Sequence, residues 1–202
     1  MIPKIIHQIW FWDKERPEVA MNTRKEMNPY YEYKLWTEEN IWDLINQKQF
    51  DECNQWCWKA DIARYEILLK EWWIYIDADS ICLRPLTDDL LDNDFFSCYE
   101  NEQCRWGLIA NWYIWSKPWN GILKLIIETI WQYIDINSQL PWIKTWPKMF
   151  TEHIKIWSIF WAKFKIYPSY YFIPQHYSWI KYEWDFKPYS NQLWWTTLNL
   201  YK

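Results

Sequence analysis

Strand-like and helical segments alternate along the 202 residues, which predicts an α/β fold on a mostly parallel central sheet flanked by helices. Three observations carry that prediction. Short apolar runs at 4–10, 74–76 and 95–99 have the length and Ile or aromatic content of buried strands. Segments 17–27, 54–70 and 118–134, between and after them, read as helical. One buried run ends directly in Asp77-Ala78-Asp79. In α/β sheets, ligands sit at such carboxyl ends.

Each element has a local reason. The run 4–10 is bounded by Pro3 and by Trp12-Asp13. Residues 17–27 look helical until Asn28-Pro29, because a residue preceding proline is pushed out of the α region. Residues 31–36 alternate and suggest a second strand. Thr37, with Glu38-Glu39 in the first turn and Asn40 behind it, opens a short helix over 37–47. The helix 54–70 carries Ala60, Ala63, Ile67 and Leu68 on its apolar side. Strands at 74–76, 95–99 and 108–114 come next, then a helix over 118–134 with Ile122, Leu125, Ile126, Thr129 and Ile130 near helical period.

The length suits one domain, 1–202, with no repeat or low-complexity linker to divide it. Charged residues at 24% and hydrophobic residues at 50% exclude a disordered or collagen-like chain. The net charge, 22 − 26 = −4, gives no footprint for nucleic acid. No run approaches the ~18 apolar residues of a spanning helix, and the N-terminus does not read as a signal peptide. A cytoplasmic protein is therefore expected, with its five cysteines reduced and structural. His7, His153 and His176 are not spaced as a metal cluster, and His7 reads as a satisfied core histidine.

Asp77 and Asp79 form the most informative local feature. Two carboxylates at a sheet rim can share a hard divalent cation with phosphate oxygens, although acidic turns after strands are also common. Context favours the site. One helix earlier, Asp61 and Arg64 stand at i, i+3 and share a face. A surface ion pair would contribute only a few tenths of a kcal/mol. A pair aimed at sugar hydroxyls, with the guanidinium near a diphosphate, is the better reading just upstream of D-x-D.

These residues carry a resemblance. Ile2-Pro3-Lys4-Ile5-Ile6-His7-Gln8-Ile9-Trp10-Phe11, Ala60-Asp61-Ile62-Ala63-Arg64-Tyr65-Glu66-Ile67-Leu68 and Trp72-Trp73-Ile74-Tyr75-Ile76-Asp77-Ala78-Asp79, then Arg84-Pro85-Leu86, resemble glycosyltransferase family 32. This family includes yeast-type α-mannosyltransferases and bacterial capsule or lipopolysaccharide sugar transferases. Asn111 with Ser116-Lys117-Pro118, and Thr145-Trp146-Pro147, resemble later family segments.

The resemblance implies a GT-A-like nucleotide-sugar-binding domain and a retaining transferase of bacterial surface-polysaccharide synthesis. It implies Mn²⁺ or Mg²⁺, a UDP- or GDP-sugar donor and a glycan or glycolipid acceptor, with the inner face of the membrane as a location left open. By position, Asp79 would ligate the metal; Asp77 would contact the donor or reach the metal through water. Asp61 and Arg64 would hold sugar hydroxyls, Ile9 and Trp10 would line the base pocket, and Asn111 would lie near the transferred sugar. The family's late metal-completing residue falls in Tyr189-Ser190-Asn191-Gln192-Leu193-Trp194, where Asn191 is the preferred third ligand because an amide oxygen suits a hard cation. No residue stands out as covalent nucleophile or general base. Two alternatives stay open: a non-catalytic sugar-binding protein of the same fold, and a metal-dependent nucleotidyl- or phosphotransferase. The second needs more carboxylates, for which Glu100 and Glu102 are the nearby candidates and read as an acidic loop.

Gly 2 and Trp 21 stand out against an average chain with ~14 glycines. Trp12, Trp72, Trp73, Trp115, Trp119 and Trp146 fall where the family has glycine, whereas Trp10, Trp36 and Trp194 fall where it has tryptophan. We expect glycine at most of the former sites in the natural protein. A gene that reads UGA as glycine, translated with a table that reads it as tryptophan, would give this pattern and spare glycines encoded by GGN, such as Gly107 and Gly121.

Overall fold

Continuous apolar strands need cover on both faces, and the chain provides it. The computed structural model describes residues 4–133, 135–137, 147–157, 163–182, 185–198 and 200. Its elements are β1 (Ile5–Ile9), α1 (Glu18–Met27), β2 (Glu32–Trp36), α2 (Gln47–Glu52), α3 (Trp56–Glu71), β3 (Trp73–Ile76), β4 (Ser80–Cys82) and α4 (Asp88–Leu91). There follow β5 (Phe95–Asn101), β6 (Arg105–Ile109), β7 (Tyr113–Ser116), α5 (Gly121–Trp131), α6 (Pro147–Trp157), β8 (Phe164–Tyr167), a 3₁₀ turn (Ser169–Tyr171), β9 (Ser190–Gln192) and α7 (Trp195–Leu198).

Seven strands form one sheet in the order β2-β1-β3-β7-β5-β6, with β8 also on β5. The sheet is mixed. β1 pairs parallel with β2 and β3, and β5 with β8, whereas β3–β7, β7–β5 and β5–β6 are antiparallel. Alternation along each strand divides the core. Tyr75, Phe95 and Ile114 pack with Ile62, Ile67, Ile126 and Phe150 of α3, α5 and α6 on one face. Ile74, Ile76, Phe96 and Tyr113 pack with Leu90, Phe172 and Tyr189 on the other. A separate pair, β4–β9, pins the chain's last segment beside the end of β3.

Two expected elements differ, each for a local reason. Helix 37–47 does not form; α2 begins at Gln47. Asn40 turns its side chain back, with Oδ1 accepting from Thr37 N and Nδ2 donating to the Leu35 carbonyl. Buried Glu66 then takes the amides of Ile45 and Asn46. Those side chains satisfy the backbone groups that a helix would have used. The expected strand 108–114 is two strands, β6 and β7, broken where Asn111 turns inward. Helix 118–134 is observed as α5, opened by Asn120, whose Oδ1 accepts from Ile122 N; residue 134 lies outside the described residues.

Five non-glycine residues among those described have positive φ, and all five are tryptophan: Trp72, Trp73, Trp119, Trp179 and Trp194, at φ 68°, 71°, 56°, 66° and 59°. Trp72 is the C-cap of α3, its amide on the Leu68 carbonyl, where helices commonly end in glycine. Trp12 and Trp115, expected to replace glycine, do not have positive φ. Trp146 and Thr145 lie outside the described residues. Trp194, matched to a family tryptophan on sequence, does have positive φ.

Candidate functional site

The parallel strands β1 and β3 end side by side, so their outgoing residues share one rim of the sheet. Gln8 fixes the junction: its Nε2 donates to the Asp77 carbonyl at 3.0 Å, and its Oε1 accepts from Tyr33 Oη at 2.7 Å. Behind it His7 is fully buried, its Nδ1 accepting from Trp36 Nε1 and its Nε2 donating to the Trp72 carbonyl. Burial lowers its pKa to about 4, so the imidazole is a neutral core group, as expected.

Asp61 and Arg64 are not a surface pair. Their side chains are 1% and 5% exposed, and Arg64 Nη2 lies 2.8 Å from Asp61 Oδ1 and 3.3 Å from Asp77 Oδ1. Arg64 Nη1 donates to the Asn111 carbonyl at 2.7 Å, and the guanidinium lies over the Tyr75 ring. Tyr75 Oη donates to Asp77 Oδ1 at 2.6 Å; Asn111 Nδ2 donates to Asp61 Oδ1 and Tyr65 Oη. Thus α3, the strand end at Asp77 and the β6–β7 break are tied through one guanidinium. Burial opposes the Arg64 charge, but Asp61 and Asp77 overcome it and raise the pKa. Asp77 is raised by burial, against the pull of Arg64.

Asp79 lies deeper. Gln192 Nε2 donates to its Oδ1 at 2.6 Å and the Trp195 amide to its Oδ2 at 2.9 Å, while its carbonyl accepts from Leu193 N. Burial, and then the neighbouring Asp77 charge, push it up to about 7. Gln192 Oε1 is buried and has no hydrogen-bond partner among the described residues. Two carboxylates and an unsatisfied amide oxygen make an all-oxygen donor set suited to Mn²⁺ or Mg²⁺. Among the described residues no three His, Cys, Asp or Glu side chains converge, so other ligands would come from a substrate or water.

Asn191, the third ligand expected from the sequence, has a buried Oδ1 with no hydrogen-bond partner among the described residues, as Gln192 Oε1 has. On β9 it pairs with Ile81, and successive side chains of a strand point to opposite faces. Gln192 therefore meets Asp79, while Asn191 is absent from the cavity lining. The acidic-loop reading of Glu100 and Glu102 is replaced. Glu102 accepts from Ser169 N and Oγ and from Tyr182 Oη, while Glu100 is buried at the end of β5 and lines the cavity. A glutamate inside an apolar strand run was the signal available for it.

Two adjoining hollows meet at these groups. The larger, about 410 Å³, is lined by Asp61, Asn111, Glu100, Arg105, Tyr177 and Gln192 among others. The smaller, about 280 Å³, is lined by Ile9, Trp10, Phe11, Trp12, Gln55 and Trp56 among others. Cys57, Arg64, Asp77 and Asp79 border both. Ile9, Trp10, Asp61, Arg64, Asp77, Asp79 and Asn111 are thus gathered around one cleft.

Residues 14–97 match the family described as the glycosyltransferase sugar-binding region containing DXD motif. Inositol phosphoceramide mannosyltransferase 3 of Schizosaccharomyces pombe is 40% identical over 99 residues, 45% of this chain and 27% of that protein. Inositol phosphoceramide mannosyltransferase 2 of the same organism is 29% identical over 174 residues, 82% of this chain and 48% of that protein. The chain therefore spans about half or less of these relatives. A solved structure described as PaToxG glycosyltransferase aligns with TM-score 0.62 at 15% identity, covering 79% of this chain and 69% of that one. That likeness is one of fold, and the fold here is α/β and GT-A-like.

Proposed function

We propose that this chain, which is glycosyltransferase family 32-like, moves a sugar from a nucleotide-sugar donor to a hydroxyl of a glycan or glycolipid, with retention of configuration. The observation that carries the reading is the two-lobed cleft whose lobes meet at Asp77 and Asp79. The aromatic lobe around Trp10 suits a nucleobase, and the polar lobe around Asp61 and Asn111 suits sugar hydroxyls. The diphosphate then falls at the carboxylate pair. Relatives named inositol phosphoceramide mannosyltransferases support a mannosyl donor and an amphiphilic polyol acceptor. A cytoplasmic location at the inner face of the membrane belongs to the same proposal; no helix among the described residues is long and apolar enough to cross a membrane.

Asp79, Asp77 and Gln192 would hold Mn²⁺ or Mg²⁺, which supplies Lewis-acid neutralisation of the leaving diphosphate. Arg64, held between Asp61 and Asp77, orients both carboxylates toward the cleft. Asp61 and Asn111 accept and donate hydrogen bonds to the transferred sugar. The bond from the anomeric carbon to the phosphate oxygen breaks, the bond to the acceptor oxygen forms, and the acceptor proton leaves on the phosphate.

The test is transfer or hydrolysis of labelled GDP-mannose and UDP-glucose with Mn²⁺, the product anomer read by NMR. An α product from an α donor is expected. An inverted product overturns retention; binding without turnover favours the non-catalytic sugar-binding reading.

A further inference from the structure

We propose that Glu100 receives the acceptor, its carboxylate taking the hydrogen bond of the attacking hydroxyl of a sugar or polyol, and that His176 positions it. The inference rests on the transferase reading above. Glu100 lines only the larger lobe, with Arg105 and Tyr177, and is absent from the aromatic lobe. It is 5% exposed, and it lacks the guanidinium clamp that holds Asp61 and Asp77. Among the described residues its partners engage one oxygen: His176 Nε2 at 3.2 Å and, more distantly, Arg105 Nε at 3.8 Å from Oε1.

The imidazole's proton can be assigned from its surroundings. His176 is 1% exposed, and its Nδ1 accepts from the Ser178 amide and lies 2.7 Å from Ser178 Oγ. The proton therefore sits on Nε2, aimed at Glu100. One carboxylate oxygen is fixed, and the other is left for the lobe. A buried carboxylate whose neighbours gather at one oxygen keeps the other for a ligand, and hydroxyl groups are donors that fit it. Arg105, bonded to Tyr177 Oη at 2.6 Å and half exposed, forms the rim where an anionic group on the acceptor would rest. Glu100 accepts a hydrogen bond and no proton; the proton leaves with the phosphate.

Transfer from GDP-mannose with Mn²⁺ to methyl α-mannoside and to myo-inositol tests this. Glu100→Gln should lower kcat/KM for the acceptor at least tenfold at an unchanged donor Kd. His176→Phe should show a smaller loss, and His176→Gln, which keeps an N–H toward Glu100, should recover it. Unchanged transfer in Glu100→Gln overturns the proposal, as does donor binding that falls in step with transfer. Should Glu100→Gln not fold, Glu100→Asp, with shortened reach, carries the same expectation. If the parent protein binds no donor, the transferase reading itself fails.

A second inference stands on the backbone alone: the structure assigns glycine to positions 72, 73, 119, 179 and 194. Positive-φ backbone is strained for an L-residue with a bulky side chain, and here it recurs at five sites among the described residues. Only glycine adopts it freely. Position 179 lies in the turn after His176, so the same substitution bears on the acceptor lobe. Single Trp→Gly replacements at 72, 73, 119 and 179 should raise Tm, whereas Trp36→Gly, which removes the indole bonded to His7, should lower it. Lowered Tm at all four, or UGG codons at the five positions in the gene, would refute the assignment.

Discussion

At the scale of single residues, Arg64 is the side chain on which the site's geometry depends. It joins Asp61, Asp77 and the Asn111 carbonyl, all within 3.3 Å. Removing one partner of a buried ion network leaves the others uncompensated, typically at 3–5 kcal/mol. Arg64→Met should therefore lose about that much stability in urea denaturation, and Arg64→Lys should still lose activity because it cannot span three acceptors. A variant with wild-type stability would show the network to be dispensable. Asp61, Arg64, Asp77 and Asp79 were legible because helix periodicity and a strand end place them without long-range information. Gln192 and Glu100 were not. Gln192 reaches Asp79 across 113 residues, and only the β4–β9 register decides between it and Asn191.

At the scale of elements, side chains that capture backbone donors decide where helices begin. Glu66, raised in pKa by burial, holds the amides of Ile45 and Asn46. Glu66→Ala should cost about 1–3 kcal/mol, the usual penalty for orphaned buried donors, and raise hydrogen exchange at those two amides. Thr37 with two following glutamates looked like a helix start because local rules omit a carboxylate arriving from α3. The α/β alternation itself was legible, whereas the antiparallel half of the sheet was not, since it depends on the turn at Asn111.

β1 carries a pH signature. His7 has its pKa lowered by burial to about 4, against 6.5 when unfolded. Below pH 6.5 the unfolded chain binds this proton and the folded one does not. Stability is thus fully present above 6.5 and declines as pH falls toward 4, by about 3 kcal/mol. Asp79, raised to about 7, acts in the opposite sense, favouring the fold more at low pH. The His7 effect is therefore the difference between wild type and His7→Gln in denaturation from pH 7 to pH 4. A difference constant with pH would mean that His7 titrates as it does in water.

At the scale of the whole molecule, two lobes converge on one carboxylate pair, and each lobe makes a separable contribution. Loss of the Trp10 ring should weaken nucleotide affinity about tenfold or more, given the ~1–3 kcal/mol of base–aromatic stacking. Equal affinity for UDP and GDP in wild type and Trp10→Ala would remove the nucleobase from the smaller lobe. The central claim is that Asp79, reached from both lobes, anchors a cation and through it the donor. Calorimetric titration of GDP-mannose and UDP-glucose with Mn²⁺, into wild type and Asp79→Asn, tests it most directly. Saturable, EDTA-sensitive binding to the wild type, weakened about 100-fold in the variant, is the predicted result. Equal binding by both proteins, or by neither, would contradict it.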